Sequence, residues 1–203
     1  MKDRNSHICS LITFDWKYRS DGLVVAGMDE AGRGPLAGNV VAACVVLRDD
    51  SQILWVDDSK KLSEYRREMV FDQILNDAAY VGIGRVSPEE IDKVNILEAT
   101  RKAMREAASK VPADLYLIDA VTSLGLNRKE IPIIKGDALS YSIAAASIIA
   151  KVTRDREMRE LDKLYPAYGF LRNKGYGTKE HIEALKRIGP CPVHRRSFIA
   201  NFV

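Results

Sequence analysis

Cysteine and histidine are scarce in this chain of 203 residues, and their scarcity narrows the available chemistry. Its three cysteines, Cys9, Cys44 and Cys191, are odd in number, far apart and without Cys-x-x-Cys spacing. That argues against a disulfide framework and a thiolate zinc site, and makes a reducing cytoplasm the expected compartment. The three histidines, His7, His181 and His194, are too scattered for an imidazole cage. A metal here is therefore expected on carboxylates, which favours a hard ion such as Mg2+ or Mn2+. The longest apolar runs, near Val40–Leu47 and Ile143–Val152, fall short of the roughly 20 residues of a membrane span. Residues 1–19 have no continuous apolar segment of the signal-peptide kind. Internal repeats and low-complexity linkers are missing too.

What is present reads as an ordinary globular chain, 46% hydrophobic and 29% charged. We expect one α/β domain over residues 22–203, preceded by a polar, irregular and loosely packed extension over residues 1–21. The net charge of +3 is unevenly spread. From Lys151 to Val203 there are 12 Lys and Arg against 6 Asp and Glu. A basic final quarter suits a polyanion, although a solvated helix face would look the same.

Gly22–Met28, Asn39–Leu47 and Ala79–Val86 have the apolar, Val-rich character of strands, and the first two are close enough to pair antiparallel. Asp114–Asp119 and Ile131–Ile134 supply two more. Helical spacing runs over Ser63–Asp77. Ser87-Pro88-Glu89-Glu90 opens another helix, to about Ser109, with Ser as cap, Pro in the first position and Glu90 in a capping box. A long helix is expected from Ala138 to about Leu164, and Thr178 caps a last one to about Arg187. Strands alternating with helices predict a mixed sheet with helices on its faces.

Asp29 and Glu30 follow the first strand directly. Acids at the end of a buried strand are held rigidly, as a hard metal needs, but consecutive strand side chains point to opposite faces. They share a metal only if the strand ends or twists between them, and a solvated surface turn is the plainer reading of the pair alone. Gly32-Arg33-Gly34 shifts the balance. Its glycines permit close backbone approach to an anion, and Arg33 adds a planar donor fork. A P-loop is a poor match, since Lys and Ser or Thr are missing and Gly34-Pro35 leads into a strand. Asp119 ends the strand LYLID, and Asp137 precedes the long helix, where an N-cap is the simpler role. Together the four acids suffice for two metal ions about 3.5–4 Å apart, the arrangement that supports in-line phosphodiester displacement. Ser59 and Lys60 can meet a phosphate, or form a polar turn. Tyr176 between two glycines can stack on a base or sugar. His194-Arg195-Arg196-Ser197-Phe198 reads as a basic patch with an aromatic anchor.

These motifs, in order and spacing, resemble those of ribonuclease HII, the bacterial type 2 ribonuclease H. The resemblance runs from Leu23 to Phe198. It rests on GMDEAGRGPLAG (Gly27–Gly38), DSKKLS (Asp58–Ser63), IDKVNILEATRKAM (Ile91–Met104), LYLIDA (Leu115–Ala120), KGDALSYSIAAASIIAKVTRDR (Lys135–Arg156), KGYGTKEH (Lys174–His181) and HRRSF (His194–Phe198). The related type 3 enzymes carry Ser and Lys where this chain has Ala31 and Arg33. The resemblance implies an RNase H-like fold with a central mixed five-stranded sheet. It implies hydrolysis of RNA in RNA–DNA hybrids and incision 5′ to a ribonucleotide embedded in duplex DNA, leaving 3′-hydroxyl and 5′-phosphate ends. It assigns Asp29, Glu30, Asp119 and Asp137 to two Mg2+ or Mn2+ ions, Gly32, Arg33 and Gly34 to the 2′-hydroxyl, and Tyr176 to the following deoxyribose. A monomer is expected, and clamp recruitment is not readable. Rival readings are a non-catalytic hybrid-binding module and a nucleotide-dependent phosphotransferase. Two departures stand out. Most members carry Gly after the third acid, where this chain has Ala120, a residue strained at positive φ. Some members continue into further C-terminal helices, whereas this sequence closes at Val203, so the core domain is expected to hold substrate alone.

Overall fold

Apolar, β-branched sequence on either side of a glycine-rich turn makes the first two strands a hairpin-like pair. In the computed structural model, which describes residues 2–19 and 22–203 (side chains of 2 and 3 excepted), β1 spans Val25–Ala31 and β2 spans Val40–Leu47. They pair antiparallel from Gly27↔Val45 to Ala31↔Val41. With β3 (Ala78–Val86), β4 (Leu115–Asp119) and β5 (Lys129–Ile133) they form a five-stranded sheet in the order β3-β2-β1-β4-β5. The β1–β4 and β4–β5 pairs are parallel, so the sheet is mixed, as expected. β1 runs three residues further than its sequence suggests. Asp29 and Glu30 are thus inside the strand, their backbones paired with Ala43 and Ala42.

The helices form two layers. Residues of β2 alternate between them, Ala43, Val45 and Leu47 facing one layer and Val40, Ala42, Cys44 and Val46 the other. On the first face lie α2 (Glu64–Asp77) and the 24-residue α5 (Tyr141–Leu164). On the second lie α3 (Pro88–Val94) and α4 (Ile96–Ala108). α5 rests directly on β1: a Cβ at Gly27 would come within 2.1 Å of the Ser142 carbonyl carbon. Glycine at this position lets the helix start sit on the strand that carries Asp29.

Four expectations need correcting. The helix expected over Ser87–Ser109 is broken at Asn95, whose φ of 69° ends α3. Its side chain accepts from the Leu97 and Glu98 amides at 2.9 and 3.1 Å, and so caps α4. Among side chains other than glycine, Asn is enriched at positive φ, and its carboxamide can cap, so one residue both stops and starts a helix here. At the second site Ser87 caps α3 through the Glu90 amide, while the Glu90 carboxylate binds Lys102 at 2.7 Å rather than closing a capping box. The long helix begins at Tyr141 with Ser140 as N-cap; residues Gly136–Ala138 form a 3-10 turn before it, so Asp137 is not the cap.

The fourth correction concerns the N-terminus. Residues Lys2–Trp16 form a 15-residue helix, α1, rather than an irregular extension. Ile8, Leu11 and Asp15 recur on one face at helical spacing and are all buried. Asp15 accepts from the Ser140 hydroxyl at 2.6 Å and the Ser142 amide at 2.8 Å, and so holds the start of α5. Asp15→Ala is expected to cost about 2–4 kcal/mol, because two buried donors lose their acceptor. A lower urea midpoint at unchanged slope would show it, and an unaltered midpoint would rule out α1 as part of the folded unit.

Candidate active site

β1 and β4 stop pairing at Met28↔Ile118. Just past that point the two strands deliver Asp29 and Asp119 side by side, and the 3-10 turn before α5 brings Asp137 over them. Each of the three offers a carboxylate oxygen, all within 4.8 Å of one another. Among the described residues this is the one such acidic group able to hold a metal ion. Asp29 Oδ1 accepts from the Glu30 amide at 2.7 Å, and Asp119 Oδ1 accepts from the Gly136 amide at 2.7 Å. Lys60 Nζ approaches Asp137 Oδ2 at 3.6 Å.

Asp29, Glu30, Gly32, Arg33, Gly34, Ser59, Lys60, Asp119 and Tyr176 all line one cavity of about 220 Å³. Asp137 joins them through the acidic cluster and Lys60. Glu30 stands at the cavity but outside the tight group. Its Oε1 meets Arg33 at 3.3 Å, while its Oε2 is buried without a hydrogen-bond partner. Strand parity therefore separates Asp29 from Glu30, and the cavity brings them back together.

Burial raises the Asp29 carboxyl well above its ordinary range, and the neighbouring Glu30 and Asp119 add to the effect. Burial also raises Glu30, against the pull of Arg33. Asp119 is raised by burial and by Asp137, against the Gly136 amide and Lys60. Burial disfavours the Lys60 ammonium, but Asp137, Asp58, Asp29 and Asp119 outweigh it and raise its pKa. The cluster gathers more negative charge than its protein partners neutralise. Oxygen donors, a carboxylate oxygen without a partner and excess negative charge together fit a hard divalent cation.

Two buried arginines, Arg154 and Arg195, hold the loops beside the cavity. Arg195 is fully buried, which corrects its reading as part of a basic patch; His194 is buried too, Phe198 is partly buried, and Arg196 and Ser197 are exposed. The Arg195 guanidinium donates to Gly32 O at 2.6 Å, Arg33 O at 3.0 Å and Gly38 O at 2.8 Å. Burial, with Arg154 nearby, pushes its pKa down to about 9, so it stays cationic at neutral pH. Arg154 donates to Asn39 O, Lys174 O and Ala37 O at 2.9–3.1 Å. Gly32, at φ 96°, leaves room for it: a Cβ there would lie 2.2 Å from Arg154 Nε. An arginine inside a motif beside residues of an apolar helix was the available signal. Ser147 and Lys151, one turn apart on α5, also line the cavity and were likewise missed. Ser147 donates to Ser59 at 2.8 Å. Tyr176 is 46% exposed and stands next to Gly34, whose missing Cβ would lie 3.8 Å from the ring.

Ala120 has φ 49°, so the strain expected of it is present. Ala120→Gly is expected to stabilise by about 0.5–1 kcal/mol, the left-handed strain relieved less the entropy a glycine loses. Thermal unfolding checks it, and a lower melting temperature would contradict it. Asp29 supplies a second prediction. Its folded pKa lies above its unfolded value, so its ionisation opposes folding, increasingly as pH rises through that window. Metal-free Asp29→Asn is therefore expected to melt at least about 2 °C above the metal-free wild type at pH 7, and the gap should close toward about pH 4. A variant less stable than wild type at pH 7 would contradict the charge balance described above.

Comparison with known proteins agrees with this geometry. The family model described as Ribonuclease HII matches residues 26–201. Ribonuclease HII of Acetivibrio thermocellus is 53% identical across 100% of this chain and 80% of its own length. That of Geobacter metallireducens is 50% identical over 93% of this chain and 90% of its own. The fold is similar to ribonuclease H2 of Pyrococcus horikoshii, with a TM-score of 0.74 and 29% identity over 88% of this chain and 96% of that one. It is also similar to the RNase HII–PCNA complex of Archaeoglobus fulgidus, with a TM-score of 0.76 and 29% identity over 85% and 94%. The mixed sheet, the buried acidic cluster and these matches make the fold RNase H-like, and the chain belongs to the ribonuclease HII family of ribonuclease H endonucleases.

Proposed function

We propose that this ribonuclease H cuts RNA–DNA hybrids and incises duplex DNA on the 5′ side of an embedded ribonucleotide, leaving 3′-hydroxyl and 5′-phosphate ends. The observation that carries the reading is the cavity that places the acidic cluster, Gly32-Arg33-Gly34 and Tyr176 around one space. Asp29, Asp119 and Asp137 would hold two Mg2+ or Mn2+ ions, with Glu30 adding its free oxygen. Bound there, such ions supply a nucleophilic water at neutral pH and offset charge on the leaving oxygen.

The remaining work falls to the chain. Arg195 fixes the peptide planes of Gly32 and Arg33 by holding their carbonyls, and so sets the loop for a 2′-hydroxyl, the group that separates RNA from DNA. The Arg33 guanidinium and the Lys60 ammonium, both reaching solvent at the rim, suit the flanking phosphates. Ser59 is oriented by Ser147 beside them. The half-exposed Tyr176 ring offers a flat apolar face to the next sugar, which excludes water and positions the strand. The Archaeoglobus fulgidus relative is solved with PCNA, which supports a clamp partner for this chain as well.

A duplex carrying one ribonucleotide, incubated with Mg2+ or Mn2+, is expected to be cut once, at its 5′ side. Asp119→Asn should lose at least about 100-fold in rate, the scale of removing one charge from a polar transition-state site. Uncut substrate with the native chain, a cut on the 3′ side, or full activity in Asp119→Asn would each overturn the proposal.

A further inference from the structure

Two imidazoles outside the acidic site are buried against each other. His181 and His194 are 0% and 2% exposed, with Nε2 to Nε2 at 3.0 Å. The outer nitrogen of His194, Nδ1, lies 3.0 Å from the Cys191 amide, 3.1 Å from the Cys191 Sγ and 3.3 Å from the Cys191 carbonyl, so the His181 end fixes the tautomers. The Tyr176 carbonyl can only accept, and it meets His181 Nδ1 at 2.9 Å, so that nitrogen carries a proton. His181 Nε2 is then bare and His194 Nε2 donates to it. This pair of neutral tautomers leaves His194 Nδ1 to accept from the Cys191 amide, and hydrogen bonds then run from that amide through both rings to the Tyr176 carbonyl.

The rings have little freedom to turn. Tyr168 packs edge-on to His194 at 4.7 Å, and Phe170 packs edge-on to His181 at 5.4 Å, with Tyr168 and Phe170 stacked on each other. Burial depresses both imidazoles, His194 to about 4 with help from His181, so the pair is uncharged at neutral pH. The two ends of the chain belong to the two substrate-side loops. The Tyr176 carbonyl also accepts from the Thr178 amide at 2.8 Å and closes the turn that carries the phenol. The His194 backbone bridges Ala37, and Arg195 beside it grips Gly32, Arg33 and Gly38.

We propose that His181 and His194 form a fixed-tautomer relay that positions Tyr176 against the Gly32-Arg33-Gly34 loop and so sets the spacing between two consecutive sugars of the substrate. The relay rests on the reading of Tyr176 as a substrate contact. Both histidines are positioning residues, since neither lines the cavity. A packing role alone would be filled by any apolar side chain of similar size. The relay requires a donor aimed at the Tyr176 carbonyl.

The test uses the full chain. Two-bond proton–nitrogen correlation spectra at neutral pH should show both rings neutral, protonated at His181 Nδ1 and His194 Nε2. A charged ring or the opposite tautomers would overturn the relay. In cleavage of the single-ribonucleotide duplex, His181→Leu is expected to raise KM about fivefold to tenfold, as for loss of one buried hydrogen bond, with kcat within about twofold. His181→Asn places an amide donor near the old Nδ1 position and should recover most of that loss, whereas a packing role predicts Leu to do as well as Asn. Should His181→Leu not fold, His181→Gln takes its place, since Gln reaches toward His194 but not toward the carbonyl. The double variant His181→Leu/Tyr176→Ala should lose no more than Tyr176→Ala alone. Additive losses would overturn the relay and leave the Tyr176 contact standing. A wild-type KM in Tyr176→Ala would instead remove the substrate contact, and the relay's role with it.

Discussion

Repulsion among Asp29, Asp119 and Asp137 is the constraint around which the rest of the molecule is arranged. Three carboxylates with oxygens within 4.8 Å of each other, two of them buried, would separate in a soft structure. Here each is attached to something that cannot yield. Asp29 is locked into the antiparallel β1–β2 ladder, Asp119 ends a strand paired on both sides, and Asp137 sits in a turn pressed down by α5. The contact that closes the group is between a helix and a strand, the missing side chain of Gly27 under the Ser142 backbone. A larger residue at that position would lift the helix start, and Asp137 with it.

Positive charge is used in two ways around this cluster. Lys60 and Arg33 approach the acids from the solvent side, on long side chains that can move when an anion arrives. Arg154 and Arg195 are buried and immobile, and their partners are backbone carbonyls rather than carboxylates. A guanidinium saturated by carbonyls needs no counter-ion to satisfy its donors, and so its field remains available to the cavity. That is a better use of a buried cation next to an anion-binding loop than an ion pair, which would cancel the charge. The basic balance of the final quarter thus has two parts. Part of it is surface, and part is internal fastening for the loops that line the cavity.

The mixed five-stranded sheet with helices on its faces was legible in the sequence, and the residues that the family resemblance named lie at or beside one cavity. Continuous apolar runs mark strands buried on both faces, and a period of 3.6 residues with capping signals marks the helices. What escaped was whatever depends on one side chain answering a distant one. Asn95 looks like any polar residue in a helix, until its own carboxamide is seen to cap the next one. Residues 1–19 are polar on average, and the short face of Ile8, Leu11 and Asp15 is hidden in that average. Asp15 counts as a surface residue until Ser140 and Ser142, some 125 residues on, come up beside it. Arg195 reads as surface because most arginines are, and only the three-dimensional loop shows carbonyls waiting for it.

The site divides into two rigid halves. The acidic half is built on β1, β4 and the start of α5. The other half is built on the Gly32–Gly38 turn and the Lys174–Thr178 turn. Arg154 joins the second half to α5, donating to Ala37 and Lys174, one in each turn, from a helix that also presses on Asp137. Their separation is therefore set by covalent and packed structure. On the proposed function, discrimination between ribose and deoxyribose would depend on whether a sugar seated against Gly32-Arg33-Gly34 places its phosphate at the carboxylates, and a fraction of an ångström of play between the halves would blur it. On the proposed activity, cutting at one ribonucleotide in a DNA duplex would gain from buried fastenings, even at the expense of desolvating two arginines.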